Sequence, residues 1–288
     1  MDASSPVTIE IGESSHRWSS RRWCVWIVLP LLSLALALAV QMQPSASAIA
    51  ASHSALFFSV NQLGGYLPAT AWSMLTTLGD ASVLFALLAP LLLIRPQVLA
   101  AVLAAVPLGG LFSVLLKRTF DAPRPAAVLD AAQFHVVGPL LSNHSFPSGH
   151  TISAFAATVA VLAVLQPAAK TSESSALRFT GLFISAIGLA SAVGISRVAV
   201  GAHWPVDVLA GAACGWLAGL SGAAASRRWP VLWQGAQSQP WLLLLSIIFA
   251  AWLLWRPVDY LLGAPVVWLS IASVAMTAVA MWARANRV

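Results

Sequence analysis

The amino-acid sequence predicts an all-α, polytopic integral membrane protein, and three observations lead there. Of the 288 residues, 59% are hydrophobic and only 8% are charged, whereas a soluble domain carries about a quarter charged residues. Apolar runs of about 14 to 20 residues recur along the chain, near the length of helix that crosses a bilayer. The runs are continuous, unlike the short alternating segments of a membrane barrel. The net charge of +6 fits basic cytoplasmic loops. No basic block with interleaved aromatics accompanies it, so nucleic acid is discounted as a partner. The two cysteines, Cys24 and Cys214, both fall inside apolar runs, which suggests neither a disulfide framework nor a zinc site.

Residues 1–22 are polar, Ser-rich and end in "SSRRW", a composition that predicts a disordered cytoplasmic tail. The first span is Trp23–Val40. Although "SRRWCV" faintly resembles a twin-arginine signal and "ASA" at 46–48 a cleavage site, this run of 18 residues is long for a signal peptide. A polar, small-residue connection follows, "QMQPSASAIAASHS". Residues 55–75 contain Gly64, Gly65 and Pro68 as breakers and suit one or two short interfacial helices. Further spans are expected at 76–94, 98–117, 149–166, 179–196, 206–226, 241–255 and 264–283. The tryptophans suit interfacial anchoring. The domain organisation expected is the tail, a six-span membrane domain over 23–228, and two additional spans over 229–288. The sequence assigns no role to those last two spans and no oligomeric state.

Eight spans with the N-terminus inside put Arg17, Arg21, Arg22, Arg95, Lys170, Arg178, Arg227, Arg228, Arg284 and Arg287 on the inner side. Lys117, Arg118, Arg124, Arg197 and Arg256 fall outside. The bias obeys the positive-inside rule and places both termini in the cytoplasm. It also marks the outer cations as the group needing an explanation.

Three polar clusters share that outer face. "KRTFDAPRP" holds Lys117 and Arg124; "NHSFPSGHT" holds Ser148, Gly149 and His150; "SRVAVGAHWPVD" holds Arg197, His203 and Asp207. The three cations Lys117, Arg124 and Arg197 have no comparable set of acids nearby. Arginine's planar fork matches phosphate oxygens and lysine adds a point charge. "PSGH" stands where a helix begins, so its N–H groups and dipole favour an anion, and Gly149 permits close approach. Two histidines can supply a nucleophile or base and an acid. Asp207 lies one helical turn after His203, where its carboxylate can accept from the imidazole and fix the tautomer. Gly211, Gly215 and Gly219 continue Asp207 at four-residue steps, a small-residue stripe that packs closely and turns Asp207 inward.

The three motifs resemble the signature of the type 2 phosphatidic acid phosphatase superfamily, the lipid phosphate phosphatases. They occur in order: Lys117 six residues before Arg124-Pro125, then Pro147-Ser148-Gly149-His150, then Ser196-Arg197 five residues before His203 and three more before Asp207. The resemblance implies that His203 attacks phosphorus, that Asp207 orients it, and that His150 protonates the leaving oxygen and then activates water. It implies that Lys117, Arg124, Ser148, Gly149 and Arg197 bind the phosphoryl oxygens, with no metal and no cofactor. The outer acids Asp80, Asp121, Asp130, Asp207 and Asp259 form no obvious ligand cluster.

The expected substrate is a lipid phosphomonoester or pyrophosphate at the periplasmic face of a bacterial inner membrane. Undecaprenyl pyrophosphate leads the candidates, ahead of phosphatidylglycerol phosphate, phosphatidic acid and lipid A. A phosphotransferase passing the phosphoryl group to lipid A is the close alternative. A vanadate-dependent haloperoxidase of the same superfamily is disfavoured because those enzymes are soluble. A non-catalytic lipid-phosphate binder or transporter is the alternative from another class, and the paired histidines argue against it.

Other polar residues have plainer readings. His16, His53, His135 and His144 match no motif and are expected in solvated loops. Asp121 and Arg118 are expected in a solvated loop, able to pair with each other. The sequon at 143–145 is read as chance, because a glycan there would obstruct the pocket. Asp80 after "TTLG" is expected to cap a helix.

Overall fold

The computed structural model describes residues 24–42, 46–167, 172–230, 233 and 238–286. The expected N-terminal tail, with His16, lies outside the described residues, as do Lys170 and Arg287. Helices account for the fold, and no strand occurs among the described residues. Five segments are long and apolar enough to cross a membrane: Pro96–Val128, Glu173–Ala199, Pro205–Arg228, Ser238–Trp255 and Leu261–Ala285. Trp26–Gln41 and Gly149–Leu165 are shorter apolar helices. The chain is a multi-pass membrane protein.

The first span is a π-helical stretch, Cys24–Val28, running into α1 (Leu29–Gln41), with Pro30 tolerated in the first turn. The next helix, α2 (Ala46–Asn61), starts inside the stretch read as a connection and ends within 55–75, where short helices were expected. Its alanines are the strongest helix formers, and they override the polar residues that suggested a connection. His53 lies on this helix, buried, with its ring 5.9 Å from Trp204, so it is not a solvated loop residue. Phe57 joins it, edge-on to the same tryptophan at 5.2 Å.

The expected span 76–94 is also corrected. It is broken into α3 (Ala69–Thr77), α4 (Ala81–Leu87) and α5 (Leu91–Ile94). The first break is set by Asp80, whose Oδ1 accepts from the N–H groups of Ser82 at 2.9 Å and Val83 at 3.1 Å. A side chain capping residues 82 and 83 starts a helix there, and one uninterrupted helix cannot also run through it. Pro90 marks the second break.

The bundle follows: α6 (Pro96–Phe120), the short α7 (Pro125–Val128), α8 (Gly149–Leu165), α9 (Glu173–Ala199) and α10 (Pro205–Arg228). Helix α10 is central and packs on α1, α6, α8 and α9. The glycine stripe explains the close fit. A Cβ on Gly211 would lie 2.7 Å from the Ser148 carbonyl oxygen, and one on Gly219 would lie 2.7 Å from that of Ala156. Both approaches need a residue without a side chain. A Gly219→Ala variant is therefore expected to lower the thermal unfolding midpoint in detergent, by about 1–3 kcal/mol of overpacking. Gly181→Ala, where an added Cβ meets nothing within 4 Å, should not lower the midpoint, since alanine is the better helix former.

The C-terminal helices α11 (Ser238–Trp255) and α12 (Ala264–Ala285) pack on each other and on the broken crossing. Val83, Ala86 and Ala89 are buried with Ala250, Leu253, Val266, Val267 and Val274. Ser273 donates to the Leu87 carbonyl at 3.0 Å. The pair thus buttresses the segment that sequence patterning took for a simple span.

Candidate active site

The ends of α6, α8, α9 and α10 meet at one end of the bundle and bring the three clusters together. Helix α9 ends at Ala199, and a tight turn leads to α10. Gly201 in that turn has φ +79°, and a Cβ there would lie 2.8 Å from the His135 carbonyl oxygen, so the turn requires glycine on both counts. The N–H groups of Ala202 and His203 donate to the Arg197 carbonyl at 3.0 and 3.1 Å. This ties His203 to the helix that carries Arg197.

His203 is 1% exposed. Its Nδ1 lies 3.2 Å from Asp207 Oδ2, and its Nε2 lies 3.2 Å from Arg124 Nη1. An arginine can only donate and a carboxylate only accept. The pair therefore fixes the tautomer, with the proton on Nδ1 and the lone pair on Nε2. Burial first, then the charges of Arg124, Arg197 and Lys117, holds the imidazole well below its ordinary value of 6.5. The acid limb of the kcat/KM profile is accordingly expected below pH 6.5. An Arg124→Gln variant removes a repelling cation and should move that limb upward. A pH–rate profile of both proteins checks the direction.

Asp207 is fully buried at the third position of α10. Its Oδ2 accepts from Ser145 Oγ at 2.5 Å and from the Trp204 N–H at 2.9 Å, as well as facing His203. The Trp204 contact is one half of a capping box. The Asp207 carbonyl accepts from the Ser148 N–H at 3.0 Å, which joins the start of α10 to the start of α8. Ser148 stands at the N-cap of α8 but makes no side-chain cap. Its Oγ instead accepts from Thr151 Oγ1 at 2.9 Å, so its own proton is free. Without a cap, the first-turn N–H groups remain available to an anion.

The cations surround this point. Arg124 Nε donates to the Asn143 carbonyl and Nη1 to the Ala202 carbonyl, both at 2.9 Å. Lys117 ends α6, and a Cβ at Gly149 would lie 4.0 Å from its Nζ. Arg197, 2% exposed, donates from Nη1 to Thr76 Oγ1 and, at 2.9 Å, to Tyr260 Oη. All eight residues singled out by the motifs thus lie at one end of the bundle. Among the described residues, no group of three or more His, Cys, Asp or Glu side chains is placed to hold a metal ion.

His150 stands between two openings. On one side a cavity of about 300 Å³ runs between α4, α6 and α8, past Phe85, Val102, Gly109, Ile152 and Ala156. On the other is a small cleft with Thr77, Asp80, Arg256, Asp259 and Tyr260. Asp80, already a cap, also binds Arg256 through Oδ2 at 2.6 Å.

Several contributors were missed in the sequence: Ser145, Thr151, Thr76 and Tyr260, and Asn61. The Asn61 amide donates to the carbonyls of His135, Val198 and Ala199 at 2.9–3.2 Å and accepts from the His135 N–H at 2.8 Å. It latches the loop before α8 to the end of α9. No motif flags a lone polar residue in α2. Asp121 pairs with His144, at 2.7 Å and exposed to solvent, rather than with Arg118.

Comparison with known proteins agrees with the motifs. Residues 98–230 match the model of the PAP2 superfamily. A lipid A 1-phosphatase of Rhizobium etli is 35% identical over 122 residues, covering 40% of this chain and 45% of the relative. One from Rhizobium johnstonii is 36% identical over 113 residues, covering 37% and 39%. The chain thus spans less than half the length of these curated relatives. The crystal structure of a PAP2-type phosphatidylglycerolphosphate phosphatase from Bacillus subtilis superposes with a TM-score of 0.51 at 21% identity, over 70% of this chain and 96% of that one. That likeness concerns the fold. Residues 98–230, which carry the motif residues gathered at one end of the bundle, thus match the PAP2 superfamily.

Proposed function

We propose that this chain is a membrane lipid phosphatase that hydrolyses a phosphomonoester, with lipid A 1-phosphate as the leading substrate, through a phosphohistidine on His203. One observation carries the reading: a buried, neutral imidazole with its lone pair on Nε2, pointed at an arginine and backed by a carboxylate on Nδ1. The phosphoryl group would enter beside Arg124, taking its Nη1 as a donor and uncovering Nε2. Nε2 attacks phosphorus as the bond from phosphorus to the lipid oxygen breaks, and His150 gives that oxygen a proton. His150 then takes a proton from water, whose oxygen attacks phosphorus and breaks the P–N bond. Inorganic phosphate leaves and both histidines return to their starting states. Asp207 offsets the positive charge of the phosphorylated ring, while Lys117, Arg124, Arg197, Ser148 and the Gly149 N–H hold the phosphoryl oxygens. No step in this scheme calls on a metal.

The apolar cavity beside His150 suits an acyl chain, with the headgroup at the helix ends. The substrate ranking follows the relatives' names, which put lipid A 1-phosphate ahead of the undecaprenyl pyrophosphate favoured on sequence. The charge bias of the loops supports a periplasmic site in the inner membrane. The test is phosphate release by purified protein in EDTA from a panel of lipid A, undecaprenyl pyrophosphate, phosphatidylglycerol phosphate and phosphatidic acid. Lipid A is expected to lose phosphate fastest, with label appearing as inorganic phosphate rather than on a second lipid. Equal release by wild type and His203→Ala from every lipid would end the enzymatic reading.

A further inference from the structure

We infer that Tyr260, in the connection between α11 and α12, is a positioning residue of the active centre, acting through Arg197. The inference rests on the anion-binding part of the function proposed above. Residue 260 lies outside the stretch matched to the superfamily model, which ends at 230. Nothing in the three motifs anticipates it.

Arg197 is a nearly fully buried cation, and none of the described ion pairs includes it. A buried guanidinium is costly unless its donors are filled. Here two neutral hydroxyls, Thr76 and Tyr260, both accept from Nη1. The guanidinium carbon also lies 5.3 Å from the centre of the Tyr260 ring, within the range of a cation–π contact. Nε is buried with no partner. The arginine is thus gripped at one corner, and a donor is left that an incoming phosphoryl oxygen can fill.

Tyr260 is held in turn. It is 5% exposed and packs with Trp72, Val137, Ala199, Val200 and Ala202. The last three belong to the end of α9 and to the turn between Arg197 and His203. Gly138 lies so close that a Cβ on it would come within 2.7 Å of the tyrosine ring. One side chain from the C-terminal pair therefore braces both the clamp arginine and the turn that carries His203. This gives the last two helices a part in the site.

The test is Tyr260→Phe in the full-length protein, which keeps the ring and its packing and removes only the acceptor. Orthovanadate, a phosphate mimic, serves as probe, with its affinity read from the thermal shift it produces. Loss of one hydrogen bond to a charged group should weaken orthovanadate binding and lower kcat/KM by about tenfold each, while the ligand-free unfolding midpoint falls only by the cost of one unpaired N–H. In combination with Arg197→Lys the two effects should be non-additive. A merely structural tyrosine would shift the midpoint and leave orthovanadate affinity alone. Unchanged orthovanadate affinity in Tyr260→Phe, effects additive with Arg197→Lys, or a wild type that does not bind orthovanadate would overturn the inference. If the wild type binds orthovanadate in a Tyr260-dependent way yet releases no phosphate from any lipid, the phosphatase reading fails and the positioning role stands.

Discussion

His203→Ala is expected to lower phosphate release by about 10⁴–10⁶-fold, the scale seen when a covalent nucleophile is removed, while leaving anion binding largely intact. The two halves of that result have separate physical origins. Turnover in the proposed mechanism needs the Nε2 lone pair, and no other described side chain takes its place between Arg124 and Asp207. Binding in the proposed mechanism depends on Lys117, Arg124 and Arg197, all of which remain. Removing the imidazole also frees Arg124 Nη1, which in the resting site points at Nε2. The variant should therefore bind orthovanadate or lipid substrate about as well as wild type. Single-turnover kinetics beside an orthovanadate titration separate the two. A variant that lost binding and turnover in proportion would show that His203 serves as a ligand for the anion and not as its acceptor.

Asp207→Asn is expected to cost about 10³–10⁴-fold in kcat, the scale of losing a carboxylate that fixes a catalytic tautomer. Asp207 Oδ2 takes three donors, from Ser145, Trp204 and His203, while Oδ1 is buried without a partner. An amide cannot reproduce this. With its NH2 at the Oδ2 position it meets donors, and His203 must turn its Nδ1 lone pair towards it. The imidazole proton then moves to Nε2 and blocks attack. With its NH2 at the Oδ1 position, two N–H groups are buried unpaired and the negative charge behind the phosphorylated ring is gone. Ser145→Ala removes one donor of the three and should cost only about tenfold. Thermal unfolding of each variant in detergent checks that the fold is retained. An Asp207→Asn enzyme with near wild-type kcat would remove the carboxylate from the mechanism.

The motif residues were legible because their chemistry is local. His203 and Asp207 are one helical turn apart, Ser148 to His150 open a helix, and the cations stand at helix ends where charge is unusual. The glycine stripe was legible for the same reason, since its four-residue period is written into α10. Residues that act across the fold were not. Ser145 meets Asp207 from 62 positions away, and Arg197 reaches Thr76 across 121 positions and Tyr260 across 63. A serine, a threonine and a tyrosine carry no spacing that announces such contacts. The broken crossing lies between these cases. A cap at Asp80 already implied a helix starting at 81, and average hydropathy over 76–94 hid it. The first half of helix α2 was missed because alanine's helix preference and the polarity of its serines pulled in opposite directions.

The proposed reaction passes through a covalent phosphohistidine at Nε2 of His203. The most direct measurement is rapid alkaline quenching of the purified protein with lipid labelled in the phosphate, followed by mass spectrometry of its peptides. The prediction is an alkali-stable, acid-labile phosphoryl group on the peptide bearing His203, absent from His203→Ala. Phosphate release at full rate with no label on that peptide, or label that persists in His203→Ala, would contradict it.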